Sequence, residues 1–253
     1  MAEMPERSIQ LPAEPALDGS DALEILREGE MEVLGRLAWS SNTTLLGVLT
    51  ANGVAMPVVY KPRRGERPLW DFAGGTLCQR EVATFEVSDA LGWGIVPETV
   101  LRDGPYGIGM VQRFVEHDPD EHYFALIDEH VEELIRFAVL DVIVNNADRK
   151  GGHVLRSTRT GELHGIDHGL AFHLHPKLRT VIWDFAGSEV PAELLDQVLG
   201  LLENFERDLA GRLAPLLTAL EIEGALQRAG QLLETRTLPH PDQGHYSMPW
   251  PLI

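Results

Sequence analysis

Leu140-Asp141-Val142-Ile143-Val144-Asn145-Asn146-Ala147-Asp148-Arg149-Lys150-Gly151-Gly152-His153, followed by Gly165-Ile166-Asp167-His168-Gly169-Leu170-Ala171-Phe172, is the stretch that decides the fold. Just ahead of it and into it, Val131, Leu134, Ile135, Ala138, Val139, Val142 and Ile143 recur at i, i+3, i+4, i+7 spacing. That period predicts an amphipathic helix from Glu129, about four turns long. It gives way to a polar loop, Asn145 to His153. Val154-Leu155 and Leu163 to Ile166 then flank the turn Thr160-Gly161, so a small hairpin delivers Asp167-His168-Gly169.

Towards the N-terminus the pattern is that of a sheet. Thr44 to Thr50 and Val54 to Tyr60 are β-branched and apolar, and Asn52-Gly53 between them is a two-residue hairpin signal. Lys61 closes the second strand, before Pro62. Gln79 to Leu91 reads as a helix stopped by Gly92 and Gly94, and Val96 to Leu101 and Met110 to Val115 as strands joined by a turn at residues 103–107. Ahead of these, Asp21 is the expected N-cap of a helix carrying Leu23, Leu26, Met31 and Leu34. Residues 1–20, rich in Pro, Glu and Ala, are expected to form a disordered leader.

Downstream, residues 191–236 read as two or three helices, and residues 237–253, with four prolines, as an irregular tail. The expected fold class is α+β and two-lobed: a sheet-rich lobe over residues 21–115 and a helical lobe over residues 116–236.

Composition removes several function classes. Among 253 residues, 21 Lys and Arg face 39 Asp and Glu, a formal charge of −18 that repels nucleic-acid phosphates and anionic lipid surfaces. No nucleic-acid partner and no stable membrane association are expected. Apolar runs fall short of the ~20 residues of a spanning helix, and the N-terminus lacks a signal peptide's apolar stretch. The single cysteine, Cys78, forms no internal disulfide, which suits a cytoplasmic protein.

Phosphoryl transfer needs a cation on the nucleotide phosphates, metal-binding carboxylates and a group that orients the attacking hydroxyl. The chain offers these in order: Lys61 at a strand end, Glu81 early in a helix, Asp148 in the polar loop, and Asp167 in an Asp-x-Gly after a short strand. Gly104 to Gly109, also Gly-rich, lies between two strands and reads as a hairpin turn. His173 and His175 lack a third ligand at a zinc spacing.

Val139 to His153 and Gly165 to Phe172 resemble the catalytic and metal-binding loops of type II phosphatidylinositol 4-kinases. Val59-Tyr60-Lys61-Pro62 resembles their nucleotide-binding strand, and Arg80 to Ala83 with Val96 to Thr99 the helix and strand that follow it. The match spans roughly residues 40–175 and is similar in kind to HipA-type kinases and to bacterial phosphatidylinositol 3-/4-kinase-like proteins. The resemblance implies an atypical protein-kinase-like fold that uses ATP with Mg or Mn. Lys61 would contact phosphates, and Glu81 would hold Lys61, with Glu86 as the rival partner. Asp148, with Arg149 beside it, would be catalytic, and Asp167 would bind metal. Backbone N–H groups of Ser41, Asn42 and Thr43 would cradle phosphate, and backbone groups of Gln112, Phe114 and Val115, in the segment joining the lobes, would meet the adenine.

One position departs from the family pattern. Five residues after Asp148 these kinases carry an asparagine, and this chain has His153. An imidazole suits manganese or zinc better than magnesium, so His153 is either a metal ligand or a brace within its loop. The expected function is an ATP-dependent phosphotransferase acting on a hydroxyl of a protein or small polar substrate. The alternatives are a nucleotide-binding pseudokinase and an AMP transferase using the same cleft.

Overall fold

The structure is a computed structural model that describes residues 11–37, 42–242 and 246–253. Its first element, α1 (Gly19–Glu28), starts earlier than expected, because the Asp18 carboxylate, rather than Asp21, accepts the N–H of Asp21 at 2.9 Å. Gly29, in an extended conformation, ends the helix. Met31 and Leu34 therefore lie not in a helix but in a strand the periodicity missed, β1 (Glu30–Arg36).

β2 (Leu45–Ala51) and β3 (Val54–Pro62) follow, joined through Asn52-Gly53 with φ of 52° and 78°, as a tight right-twisting hairpin requires. β4 (Thr99–Gly104) and β5 (Gly107–Arg113) form the second hairpin, and the five strands are antiparallel in the order β1-β2-β3-β5-β4. The Gly-rich stretch Gly104 to Gly109 is that hairpin's turn. Ala22, Ile25 and Leu26 of α1 pack on Leu49, Met56, Val58 and Val111 of the sheet. α2 (Leu77–Ala90) sets Cys78 and Val82 on Met110.

The chain then becomes helical. A single turn, α3 (Tyr123–Leu126), precedes α4 (Val131–Val144), and β6 (Val154–Arg156) pairs with β7 (Leu163–Gly165). The closing region holds α5 (Ala192–Glu203), the one-turn α6 (Phe205–Asp208) and α7 (Ala210–Leu213), and α8 (Ala219–Thr235). Thr218 and Glu221 form a capping box on α8. Leu134, Phe137, Leu140 and Ile143 of α4 meet Val154, Phe172, Val198 and Ala229 in the larger core.

The result is the expected α+β, two-lobed kinase-like fold, a sheet-rich lobe above a helical one. The expected leader needs correction where it is described: Glu14 is buried and ion-paired to Arg113, with Arg159 at 3.4 Å, so this stretch is anchored to the body. Residues 1–10 lie outside the described residues. Among the described residues no helix is long and apolar enough to cross a membrane.

Candidate active site

Lys61 reaches from β3 into the junction of the lobes. Its Nζ lies 2.7 Å from Glu81 Oε1 on α2 and 2.9 Å from Asp167 Oδ1 in the loop after β7. The rival Glu86 pairs instead with Arg212. Burial acts to lower the Lys61 pKa, but the charges of Asp167 and Glu81 outweigh it and hold the ammonium above its usual value. Burial pushes Glu81 up to about 7, against the pull of Lys61. Removal from water also works to raise Asp167, yet Lys61 and His153 hold it below the usual carboxylate range. Asp167 adopts φ of 59°, a left-handed conformation that costs on the order of 1 kcal/mol and aims its carboxylate at the cation.

Asp148 sits in the loop after α4. Asn145 ends that helix in the left-handed conformation (φ 52°), and its carboxamide binds the carbonyls of His173 and His175 and the N–H of Lys177. The Asn146 side chain accepts the Asp148 N–H at 3.1 Å and donates to Asp141 at 2.9 Å. Burial pushes the Asp148 carboxyl up to about 6, with Asp167 adding to the rise and Lys150 opposing it. A carboxylate poised there is ionised at neutral pH and still basic enough to take a hydroxyl proton.

Arg149, expected beside Asp148 as a catalytic group, instead has a fully buried guanidinium that clasps Asp141, with Nε at 3.0 Å from Oδ2 and Nη2 at 2.8 Å from Oδ1. It also binds His168 Nε2 at 2.6 Å and the carbonyls of His153 and Ile166 at 3.3 Å. Arg149 therefore ties the Asp148 loop to the Asp167 loop from within the fold. Asp141, its fully buried partner, was missed as a site residue. The signal was a lone carboxylate on the apolar stripe of α4, since such a charge is buried only when paired.

His153 lies beside Asp167, with Nε2 3.5 Å from Oδ2. Its Nδ1 accepts the Lys150 N–H at 3.4 Å, which places the proton on Nε2, facing the carboxylate. Burial lowers its pKa to about 4, so the ring stays neutral. This tautomer favours the brace over the ligand. Among the described residues no three His, Cys, Asp or Glu side chains cluster as a metal cage. A hard cation arriving with nucleotide phosphates needs only one or two protein carboxylates, and the Asp167 carboxylate fits that requirement.

Two other groups of expected contacts carry hydrogen bonds within the fold. Ser41 lies outside the described residues. The Thr43 N–H bonds Gly65 O at 3.1 Å and the Asn42 carboxamide oxygen accepts the Arg67 N–H at 2.9 Å, so both shape the approach to β2. Gln112 lies in β5 between β3 and β4, and its buried side chain binds Thr99 Oγ1 at 2.8 Å. Phe114 N–H is held by Pro57 O, and Val115 O accepts from His117. These three residues mark the passage between the lobes, with those groups already engaged. His173 binds the carbonyl of Asp71.

A two-lobed kinase-like fold with a lysine, a helix glutamate and two loop aspartates at its cleft defines a phosphotransferase family. Residues 98–210 match the family described as phosphatidylinositol 3- and 4-kinase. Protein Rv2133c of Mycobacterium tuberculosis is 40% identical over 266 aligned positions, covering 91% of this chain and 95% of that protein. The Helicobacter pylori proinflammatory kinase CtkA is similar in structure, with a TM-score of 0.51 and 13% identity over 84% of this chain and 94% of that one. The chain belongs to the phosphatidylinositol 3- and 4-kinase-like family, on a branch with the mycobacterial protein.

Proposed function

We propose that the chain is an ATP-dependent phosphotransferase whose acceptor is a hydroxyl of a protein or small polar molecule. The observation that carries this reading is the Lys61 ammonium held between Glu81 and Asp167 at 2.7 and 2.9 Å. Glu81 fixes the cation, so Lys61 can meet phosphate oxygens without reorganising. Asp148 orients the acceptor hydroxyl and takes its proton as that oxygen bonds to the terminal phosphorus. The bond from phosphorus to the bridging oxygen breaks, and ADP leaves with the electron pair. Asp167 would hold Mg or Mn, which when bound neutralises charge on the phosphates.

A lipid acceptor fits less well, because a net charge of −18 opposes an anionic membrane surface. That charge and the buried, unpaired Cys78 suit a cytoplasmic protein. His153 at the second metal position supports one rival, a nucleotide-binding pseudokinase. Intact mass after incubation with ATP separates the readings: a gain of about 80 Da on protein or acceptor marks phosphoryl transfer, about 330 Da marks AMP transfer, and no gain leaves the pseudokinase.

A further inference from the structure

Tyr246 to Ile253 runs across the helical lobe onto the loop that carries Asp148. Arg179 Nε binds Tyr246 O at 3.1 Å, Thr180 N and Trp183 Nε1 bind Ser247 O at 3.1 and 2.9 Å, and Gly151 N–H binds Leu252 O at 2.7 Å. Arg179 is itself joined to the loop, its N–H to Asn146 O and its carbonyl to Arg149 N–H. In each of these contacts the segment contributes a main-chain carbonyl. Its side chains mostly face water: Tyr246 and Trp250 are each 87% exposed. Pro249 is the buried one among them.

The loop is shaped to receive a main chain at this point. A Cβ on Gly151 would stand 2.8 Å from the Phe124 ring and 3.3 Å from Leu252 O, so a side chain there would force the aromatic edge to shift. Gly152 leaves ordinary van der Waals room beside Ile253. A site that offers an N–H and a bare glycine surface reads an extended polypeptide by its backbone, much as an exposed sheet edge does. A membrane lipid or a small polyol has no peptide carbonyl to present in that register. The four hydrogen bonds named above use only main-chain carbonyls of the segment, so another extended chain can supply the same acceptors.

We infer that the Gly151–Gly152 edge of the catalytic loop is a docking track for an extended polypeptide, that the acceptor class is therefore protein, and that Tyr246–Ile253 occupies this track in cis until an acceptor displaces it. The inference rests on the phosphotransfer reading above and narrows its acceptor.

The test uses the full chain with a protease site inserted between Pro241 and Asp242, cleaved after folding, beside a variant that stops at His240. Release of the segment is expected to speed hydrogen exchange at the Gly151 amide at least tenfold. A fluorescent peptide of residues 246–253 is expected to bind the cleaved protein and restore that protection. Dephosphorylated casein, an unfolded polypeptide, should displace the labelled peptide, whereas phosphatidylinositol vesicles and myo-inositol should not. Displacement by vesicles or inositol and not by casein, or failure of the peptide to bind, overturns the inference. Those results with an intact Mg-ATP melting shift leave the phosphotransferase reading standing. Absence of that shift in the uncleaved chain overturns both.

Discussion

Lys61 Nζ stands 2.9 Å from Asp167 Oδ1 across 106 residues of sequence, so one ion pair closes the sheet onto the loop of the helical lobe. The same two groups are the ones a metal nucleotide would separate and bridge. With Mg-ATP at a hundred times its Kd, the melting transition should rise by the equivalent of about 2.7 kcal/mol. Asp167→Ala should abolish the metal-dependent part of that rise. Thermal shift with ATP alone, metal alone and both checks it, and equal shifts in the two proteins would remove Asp167 from the site. Lys61→Met should weaken nucleotide binding about tenfold or more, read by calorimetry, through loss of its charge-assisted contacts.

Asp148 supplies the pH dependence. Its folded pKa of about 6 lies above the ordinary 3.8, so the acceptor proton has a base only above that pH. Phosphotransfer should climb about tenfold per pH unit below 6 and level off above it. Asp148→Asn should lower the rate by ~10² or more while leaving the Mg-ATP melting shift in place. The linkage sign is equally definite: a raised carboxyl pKa means the folded state loses stability as pH rises from about 4 to about 6. His153 and Glu81 titrate nearby in both proteins, so the slope should appear in the difference between the wild-type and Asp148→Asn denaturant midpoints across that range.

His153 separates brace from ligand. Its pKa of about 4 is depressed from 6.5, so its neutral form contributes stability that is fully present above pH 6.5 and lost as pH falls towards 4. The contribution is on the order of 3 kcal/mol at most by that shift. Its ring resonances should not titrate between pH 5.5 and 8, and manganese should hold no advantage over magnesium for nucleotide binding. His153→Asn should remove the acid-range loss and leave metal preference unchanged. A wild type that prefers manganese and switches to magnesium in His153→Asn would instead make the ring a ligand.

Arg149→Met should be among the costliest substitutions in the chain. It strands a fully buried Asp141 carboxylate, for which a loss of about 3–5 kcal/mol is expected. Adding Asp141→Leu should recover much of that stability, since an apolar pair of similar volume replaces the ion pair. Phosphotransfer should not return with it, because the clasp between the two loops is gone. Urea midpoints and rates on the single and double variants measure both effects.

The helices and hairpins with strong local signals were legible in advance. Asn52-Gly53 fixed one turn, and the stripe from Val131 to Ile143 fixed α4. Lys61, Glu81, Asp148 and Asp167 were legible because their order along the chain matches a known family pattern, and His153 because it breaks that pattern. β1 was not, since Met31 and Leu34 fit a helical period as well as a strand, and pairing with β2 decided between them. Arg149 misled for another reason: a charged residue next to a catalytic one looks exposed in sequence, and only its pairing with Asp141 eight residues earlier, folded back by the helix end at Asn145, shows that it turns inward. The roles of Thr43 and Gln112 depended on which partners their polar groups met across the sheet, which no local pattern records.

Arg80 and Glu81 are neighbours on α2, so their side chains leave the helix about 100° apart. Arg80 holds Glu221 and the Ala171 carbonyl of the helical lobe, while Glu81 holds Lys61 of the sheet. α2 thus works as a latch with two teeth cut at a fixed angle. A rotation of α2 about its axis would disturb both contacts together, so the seat of the Lys61 cation depends on how the same helix meets the helical lobe.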